Sequence, residues 1–297
     1  MSDHRHDTTL GIRRRRALSL ALAANGALLV VEVGGGLAFG SLALLADAAH
    51  LASDVLALGI ALAAQSLMER PASVRHTYGL MRVEILGALA NGTLLAALAL
   101  FIGWEAVRRI GAPEEVRGAG VVLVGVVGLG VNAASAWLLA RTAGASLNMR
   151  GAVAHMSADA AGSLGAIVAG VAVVLWGAEW ADPVVSLGIG ALILWSAWRL
   201  LRDTVHILLE GAPRDLDARE LEDALRSDPS VEDVHHLHVW NIASETPALS
   251  AHVVLGGDTT LHEAQEHGDR LKAELARRYG IRHATLELEC HACEPAS

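Results

Sequence analysis

Two histidine–aspartate pairs with the same spacing stand out, because each lies inside a long apolar stretch. His50 precedes Asp54 by four residues, and His155 precedes Asp159 by four. Residues four apart in a helix lie on one face, one turn apart. If the two helices pack together, two imidazole nitrogens and two carboxylate oxygens converge, which suits tetrahedral Zn²⁺. The pairs therefore predict one metal site with four ligands.

A single pair of this kind would be weak support for a metal site. A buried histidine bonded to a neighbouring aspartate can simply hold two helices together. A charged residue near the centre of a bilayer costs about 2.5 to 3.5 kcal/mol, however. Two copies of the same costly pair, in separate apolar stretches, favour a shared metal ion over helix packing.

The apolar stretches that must position these pairs predict a membrane protein. Hydrophobic residues make up 53% of the 297-residue chain and aromatic residues only 4%, which suits closely packed membrane helices better than a soluble enzyme. Each stretch has about 20 residues or more, enough to cross a hydrocarbon core of about 30 Å. Six spans are predicted: Ala17–Phe39, Ser41–Leu67, Val83–Val107, Ala119–Ala140, Ala152–Trp176 and Pro183–Leu201.

The distribution of arginine predicts the orientation of these spans. Arginines 13–16 and those of the loops after the second and fourth spans fall on one side, and positive residues accumulate in the cytoplasm. Both termini are therefore expected to be cytoplasmic. The first stretch exceeds a usual signal-peptide core and contains Asn25 and Glu32, so we interpret it as a retained helix in a plasma membrane. The net charge of -9, unevenly placed, argues against nucleic-acid binding.

The composition changes sharply after Arg202. Apolar spacing predicts an amphipathic helix, strands at Val231–Ile242 and Leu249–Leu255, a helix at Leu261–Tyr279 and a strand at Ala284–Cys290. The predicted fold class is thus an all-α six-helix membrane bundle followed by a small α/β domain of order α-β-β-α-β. Four segments are expected: a tail at 1–16, a transport domain at 17–205, a cytoplasmic domain at 206–290 and a tail at 291–297.

Other polar residues of the spans leave alternatives open. Asp47 is either a residue at the mouth of a pathway or a helix-end charge that faces water. Glu32, Asn25 and Asn132 either support the metal ligands or line a wetted pathway, or they form hydrogen bonds between helices, and the last interpretation is favoured. Asp182, followed by a proline, is interpreted as the cap of a helix.

Longer motifs around these residues resemble the cation diffusion facilitator family of zinc transporters. The resemblance runs from about residue 15 to 290 and includes LADAAHLASD at 45–54, HTYGLMRVEILGALANG at 76–92, LNMRGAVAHMSADAAGS at 147–163, HILLEGAP at 206–213 and HHLHVW at 235–240. The resemblance implies a homodimeric membrane transporter, not an enzyme, that exchanges a cytoplasmic divalent cation for protons. It implies no organic cofactor and no nucleic-acid partner.

The resemblance also implies which residues bind metal. The transport site would comprise His50, Asp54, His155 and Asp159, and histidine in both pairs implies Zn²⁺, often with Cd²⁺ or Co²⁺. A second, regulatory zinc site at the dimer interface of the cytoplasmic domain is implied for His235, His252, His267 and Glu289. Glu287 stands where some members have another histidine, which leaves the completeness of that set open.

Two further points come from the chemistry of the residues. Metal binding needs neutral imidazole and ionised carboxylate, so protons compete with Zn²⁺ for the same side chains. An intramembrane metallohydrolase and a metal sensor are the competing interpretations, but no additional acid or base accompanies the pairs and no signalling domain is recognisable. Cys290 and Cys293 form either a soft metal-ligand pair, a redox pair or part of an unstructured tail.

Overall fold

The computed structural model describes residues 20, 23–68, 73–143, 147–244, 246–257 and 259–291. The predicted tail at 1–16, the start of the first span at Ala17 and Cys293 lie outside these residues. Within these residues the membrane part has six helices, each overlapping one predicted span: α1 (Ala23–Phe39), α2 (Leu42–Met68), α3 (Val83–Gly111), α4 (Gly118–Ala143), α5 (Leu147–Trp176) and α6 (Ala181–Leu208).

Four of the described helices are long and apolar enough to cross a membrane. They are α3, α4 over Gly118–Arg141, α5 over Val153–Trp176, and α6. The described part of α1 is shorter, although it is also apolar. The chain is therefore a multi-pass membrane protein, and the count of six spans stays a prediction.

The beginning of α2 is fixed by a side chain from α6. The Asp182 carboxylate accepts a hydrogen bond of 2.7 Å from the Leu42 amide and one from the Ser41 hydroxyl, and it is fully buried. The first amides of a helix have no partner within the helix, so a carboxylate there stabilises it. Asp182 caps a helix, as predicted, but that helix is α2. The prediction was that it caps its own helix, α6, which begins at Ala181.

Glycines allow α4 and α5 to pack backbone to backbone. A Cβ on Gly170 would lie 2.9 Å from the carbonyl oxygen of Gly118, and a Cβ on Gly125 would lie 2.8 Å from Ile167 Cγ1. A larger residue at position 170 would meet the α4 backbone, and one at position 125 would displace the Ile167 side chain. Such close approach is how membrane helices associate when no hydrophobic driving force acts between them. The packing holds α5, which carries His155 and Asp159, against α4.

The C-terminal domain has the predicted order α-β-β-α-β. Its elements are α7 (Ala218–Arg226), β1 (Val231–Ala243), β2 (Thr246–Leu255), α8 (Leu261–Tyr279) and β3 (His283–Glu289). β2 lies in the middle of the sheet, antiparallel to β1 and parallel to β3. Leucines of both helices, among them Leu221 and Leu271, pack against one face of the sheet in a continuous apolar core.

The described residues divide into two compact units. The first comprises those within Met1–Gly59 and Ala90–Arg199, and the second comprises those within Ile60–Leu89 and Leu200–Ser297. The second unit therefore includes the end of α2, the start of α3 and the end of α6 with the C-terminal domain. The domain boundaries predicted from the sequence, at 16, 205 and 290, stay predictions.

Replacing Gly170 with alanine should destabilise the membrane part, because the new methyl group meets the Gly118 carbonyl and Val122. Overpacking of this kind costs about 1–3 kcal/mol, against a gain of up to about 1 kcal/mol in helix propensity. Thermal unfolding of the full chain in detergent measures the effect. Gly130→Ala in α4 is the control, since a Cβ there meets nothing within 4 Å, and its melting temperature should not fall. Equal melting temperatures of the two variants would contradict the proposed role of the close α4–α5 contact.

Candidate metal centre

The two histidine–aspartate pairs meet between α2 and α5. His50 Nε2 lies 3.4 Å from an oxygen of Asp159, and His155 Nε2 lies 3.2 Å from an oxygen of Asp54. Within each helix the imidazole and the carboxylate one turn away are 4.0 and 3.9 Å apart. One ligand atom from each of the four residues falls within 4.8 Å of all the others. The structure therefore brings together all four residues that the sequence predicts.

The donor atoms of this cluster fit a divalent cation better than a hydrogen-bonded packing contact. Both oxygens of Asp159 are buried without a hydrogen-bond partner among the described residues, and so is Oδ2 of Asp54. The Asp159 side chain is only 1% exposed, whereas that of His155 is 39% exposed. The nearest partners of the Asp159 and Asp54 oxygens are imidazole nitrogens at 3.4 and 3.2 Å, and carboxylates buried in this way are costly unless a cation or a proton compensates them. Two nitrogens and two oxygens are a donor set for Zn²⁺ and related ions.

The antiparallel pairing of α2 with α5 continues one turn beyond the cluster. The Ser163 hydroxyl donates a hydrogen bond of 3.1 Å to Asp47, which is 3% exposed. Of the two alternatives for Asp47, a helix-end charge that faces water is therefore wrong. Asn132 contacts the same hydroxyl through its side-chain nitrogen at 3.5 Å, as expected for a polar group between helices. Glu32 differs, because neither of its carboxyl oxygens has a hydrogen-bond partner in the described chain.

A second cluster of metal-ligand type lies on the sheet of the C-terminal domain. His252 on β2 contacts Glu289 on β3 at 2.6 Å, and His235 on β1 lies 3.4 Å from the other oxygen of Glu289. Glu287 is also within reach, 3.5 Å from His252 Nε2. The structure thus brings together three of the residues predicted for this domain. The fourth, His267, lies on α8 outside this cluster, with its Nδ1 against the Arg270 guanidinium.

His236 belongs to the second cluster, although the sequence analysis did not select it. Regular alternation along a strand places His235 and His236 on opposite faces. The register between β1 and β2 shifts between His235 and His238, and His236 has a φ of +50°. This bulge turns His236 to the same side, so that His235, His236 and His252 have ligand atoms within 4.8 Å of one another. The repeated histidines of HHLHVW were the only indication of this in the sequence.

Charge around the second cluster is mostly negative, which favours a cation. Glu287 and Glu289 lie on β3, and the Asp233 carboxylate lies 3.9 Å from His235 Nδ1. A hydrogen bond from Arg226 lowers the pKa of Asp233, so this carboxylate is ionised at neutral pH. An open cavity of about 470 Å³ borders His236, His252 and Glu287. Cys290, the described member of the cysteine pair, is exposed and in no disulfide.

Comparison with protein families shows to which family the chain belongs. Residues 18–209 match the family model described as cation efflux transmembrane domain, and residues 213–291 match the model described as cation efflux protein, cytoplasmic domain. The chain belongs to the cation efflux family. This is the family that the sequence motifs resemble, and its members are transporters rather than enzymes. The cluster between α2 and α5 lies in the matched transmembrane domain, and the second cluster lies in the matched cytoplasmic domain.

Several curated relatives of this cation efflux protein align over most of their length. Zinc transporter ZitB of Escherichia coli is 40% identical, and the alignment covers 94% of this chain and 88% of ZitB. Metal cation efflux system protein CzcD of Cupriavidus metallidurans is 38% identical, and the alignment covers 99% of this chain and 92% of CzcD. The cadmium, cobalt and zinc/H(+)-K(+) antiporter of Bacillus velezensis is 35% identical over 97% and 92%. Among solved structures, the metal-bound C-terminal domain of the CzcD transporter is 31% identical to this chain. The alignment covers 25% of this chain and 99% of the CzcD domain, with a TM-score of 0.22.

Asp159→Asn should weaken zinc binding at the α2–α5 cluster, because the neutral amide replaces a buried anionic ligand. Loss of an outer-shell partner costs roughly 10–100-fold in affinity, so loss of a ligand should cost about 100-fold or more. Calorimetry of the purified full chain measures this in a His252→Ala background, which weakens the second cluster. Ser157→Ala, at an exposed position of α5, is the control. Unchanged affinity for Asp159→Asn contradicts the assignment.

His236→Ala should weaken metal binding to the C-terminal domain about as much as His252→Ala does, since both imidazoles point into the same cluster. The control is His262→Ala, a histidine of the same domain that is 84% exposed on α8 and outside the cluster. Cobalt titration of the full chain, followed by absorption in an Asp159→Asn background, separates this cluster from the membrane one. An effect of His262→Ala as large as that of His236→Ala would contradict ligation by His236.

Proposed function

We propose that this member of the cation efflux family exports Zn²⁺ from the cytoplasm in exchange for protons. The observation that carries the proposal is the convergence of His50, Asp54, His155 and Asp159 within 4.8 Å between two helices of the matched transmembrane domain. Borderline nitrogen donors combined with carboxylate oxygens favour Zn²⁺, and admit Cd²⁺ and Co²⁺. The names of the relatives, which include zinc, cadmium and cobalt, support the same group of ions.

The same four side chains can exchange metal for protons. Zn²⁺ binds only to neutral imidazole and ionised carboxylate, so binding releases protons and protonation releases the ion. Histidine has an ordinary pKa of about 6.5, within the range of physiological pH changes. We propose that Zn²⁺ displaces protons from His50 and His155 on the cytoplasmic side. A rearrangement of the helices then exposes the site to the other side, where protons displace the ion.

The antiporter name of the Bacillus relative supports exchange and also includes potassium. Protons are favoured here because imidazole binds a proton far better than it binds a hard monovalent cation, whose preferred ligands are oxygens. The transport experiment therefore also tests whether zinc uptake requires potassium.

The proposed arrangement places the protein in the plasma membrane with both termini in the cytoplasm. The arginine distribution and the description of the matched C-terminal model as cytoplasmic support this orientation. The proposed transport domain extends over residues 17–205 and the proposed cytoplasmic domain over 206–290. We further propose that the chain acts as a homodimer. In such a dimer a regulatory zinc ion would be bound by His235, His252, His267 and Glu289.

Zinc uptake into inverted membrane vesicles tests the proposal. Radioactive Zn²⁺ should enter when the vesicle interior is acidic, and His155→Ala should reduce the initial rate at least ten-fold, because one of four ligands and one proton carrier are lost. His262→Ala is the control, since that side chain is 84% exposed on α8. Collapse of the pH gradient should abolish uptake, whereas replacement of potassium by choline should not. Uptake that is independent of the pH gradient would refute proton exchange.

A further inference from the structure

A buried glutamate in α1 has no assigned role in metal binding. Glu32 is fully buried, and both of its carboxyl oxygens lack a hydrogen-bond partner among the described residues. It therefore forms no hydrogen bond with any of the four metal ligands. The interhelical hydrogen bond predicted from the sequence is therefore not formed by this side chain within the described residues. A buried carboxyl group without a partner costs several kcal/mol and usually marks a functional position in a membrane helix.

The helices around Glu32 are shaped to admit its carboxyl group. A Cβ at position 128 of α4 would lie 2.9 Å from Glu32 Oε1 and also 2.9 Å from the Ser163 hydroxyl. A Cβ at position 162 of α5 would lie 2.7 Å from Asp47 Oδ1. Glycine at 128 and 162 thus makes room for two carboxyl groups. Side-chain bulk at either position would displace one of them.

Polar groups of α2, α4 and α5 lie beside Glu32, since a Cβ at position 128 would lie 2.9 Å from both its Oε1 and the Ser163 hydroxyl. The Ser163 hydroxyl reaches Asp47 at 3.1 Å and Asn132 Nδ2 at 3.5 Å, and the Oδ1 of Asn132, which is itself fully buried, has no partner in the described chain. Two more carboxyl groups are buried on the neighbouring helices, Asp47 on α2 and Asp159 on α5. Within the described chain, no basic side chain pairs with Glu32.

This group lies one helical turn from the metal centre. Asp47 precedes His50 by three residues on α2, and Ser163 follows Asp159 by four on the antiparallel α5. Charge on Glu32 is therefore felt at the metal centre through a medium of low polarity, where Coulomb interactions are strong. With the metal centre empty, ionised Glu32 would face Asp47 and Asp159 without compensation. With a divalent cation bound, the same ionised carboxylate would be stabilised.

We propose that Glu32 holds a proton in the metal-free protein and releases it when a divalent cation occupies the four-ligand centre. In this step the O–H bond of the carboxyl group breaks, the carboxylate retains the electron pair, and the proton passes to water. The bound cation and the new carboxylate attract each other across one helical turn. Glu32 is thus a proton-binding site separate from the metal ligands, an inference that rests on the proposed metal–proton exchange. Re-protonation of Glu32 then favours release of the cation.

Counting protons in Glu32→Gln tests the inference, because glutamine keeps the shape of the protonated side chain but cannot titrate. The full chain, purified in detergent, is titrated with Zn²⁺ by calorimetry in buffers of different ionisation enthalpy. The variant should release about one proton fewer per bound ion than the unaltered chain. The zinc affinity of the variant should therefore depend less steeply on pH, by a factor of about ten per pH unit. Glu32→Asp, which keeps a titratable group, should restore the lost proton.

Glu115→Gln is the matched control, since that glutamate is exposed in the loop between α3 and α4, and it should leave the proton count unchanged. Infrared difference spectra of the unaltered chain provide a readout that needs no variant to fold. A band from a protonated carboxyl group should be present without zinc and disappear on binding. Absence of that band, or equal proton counts for Glu32→Gln and the unaltered chain, overturns the inference. Absence of any proton release from the unaltered chain instead refutes the proposed exchange itself.

Discussion

A carboxyl group inside a bilayer must have a cation beside it or carry a proton, and this constraint explains the arrangement of the membrane part. Asp159, Asp47 and Glu32 are all almost fully buried. No arginine or lysine of the described chain forms an ion pair with them, and the basic groups beside Asp159 are the imidazoles of His50 and His155. The protein therefore keeps negative charge in its interior that only a mobile cation can neutralise. A divalent metal ion and protons are the two kinds of cation that these groups can accept.

The rest of the membrane part positions these charges. Asp182 caps α2 at its beginning, so α2 starts in a fixed place two turns before His50. The glycines of α4 and α5 bring those helices into backbone contact, which places α5 with its two ligands. The same small residues make room for Asp47 and Glu32. The polar centre thus depends on tight packing of the apolar helices. A displacement of α2 relative to α5 would separate imidazole and carboxylate groups that lie 3.2–4.0 Å apart.

Much of this arrangement follows from the sequence, for identifiable reasons. The four-residue spacing fixes each histidine–aspartate pair on one helix face, and repetition in two spans predicts that the faces meet. The elements of the C-terminal domain follow from apolar periodicity. Local patterns cannot show contacts between distant residues, and so the cap that Asp182 provides for α2 was assigned to the wrong helix. Strand alternation likewise fails at His236, where a bulge with positive φ reverses the side chain.

X-ray absorption at the zinc edge tests the central claim most directly, namely that two imidazoles and two carboxylates on α2 and α5 bind one ion. The measurement uses the full chain with one equivalent of Zn²⁺ in a background where His236 and His252 are both alanine. The account predicts four nitrogen or oxygen ligands at about 2.0–2.2 Å, two of them imidazoles and none of them sulfur. The imidazole contribution should disappear in the additional double variant His50→Ala, His155→Ala. A spectrum with sulfur ligands, or one that this double variant leaves unchanged, would contradict the account.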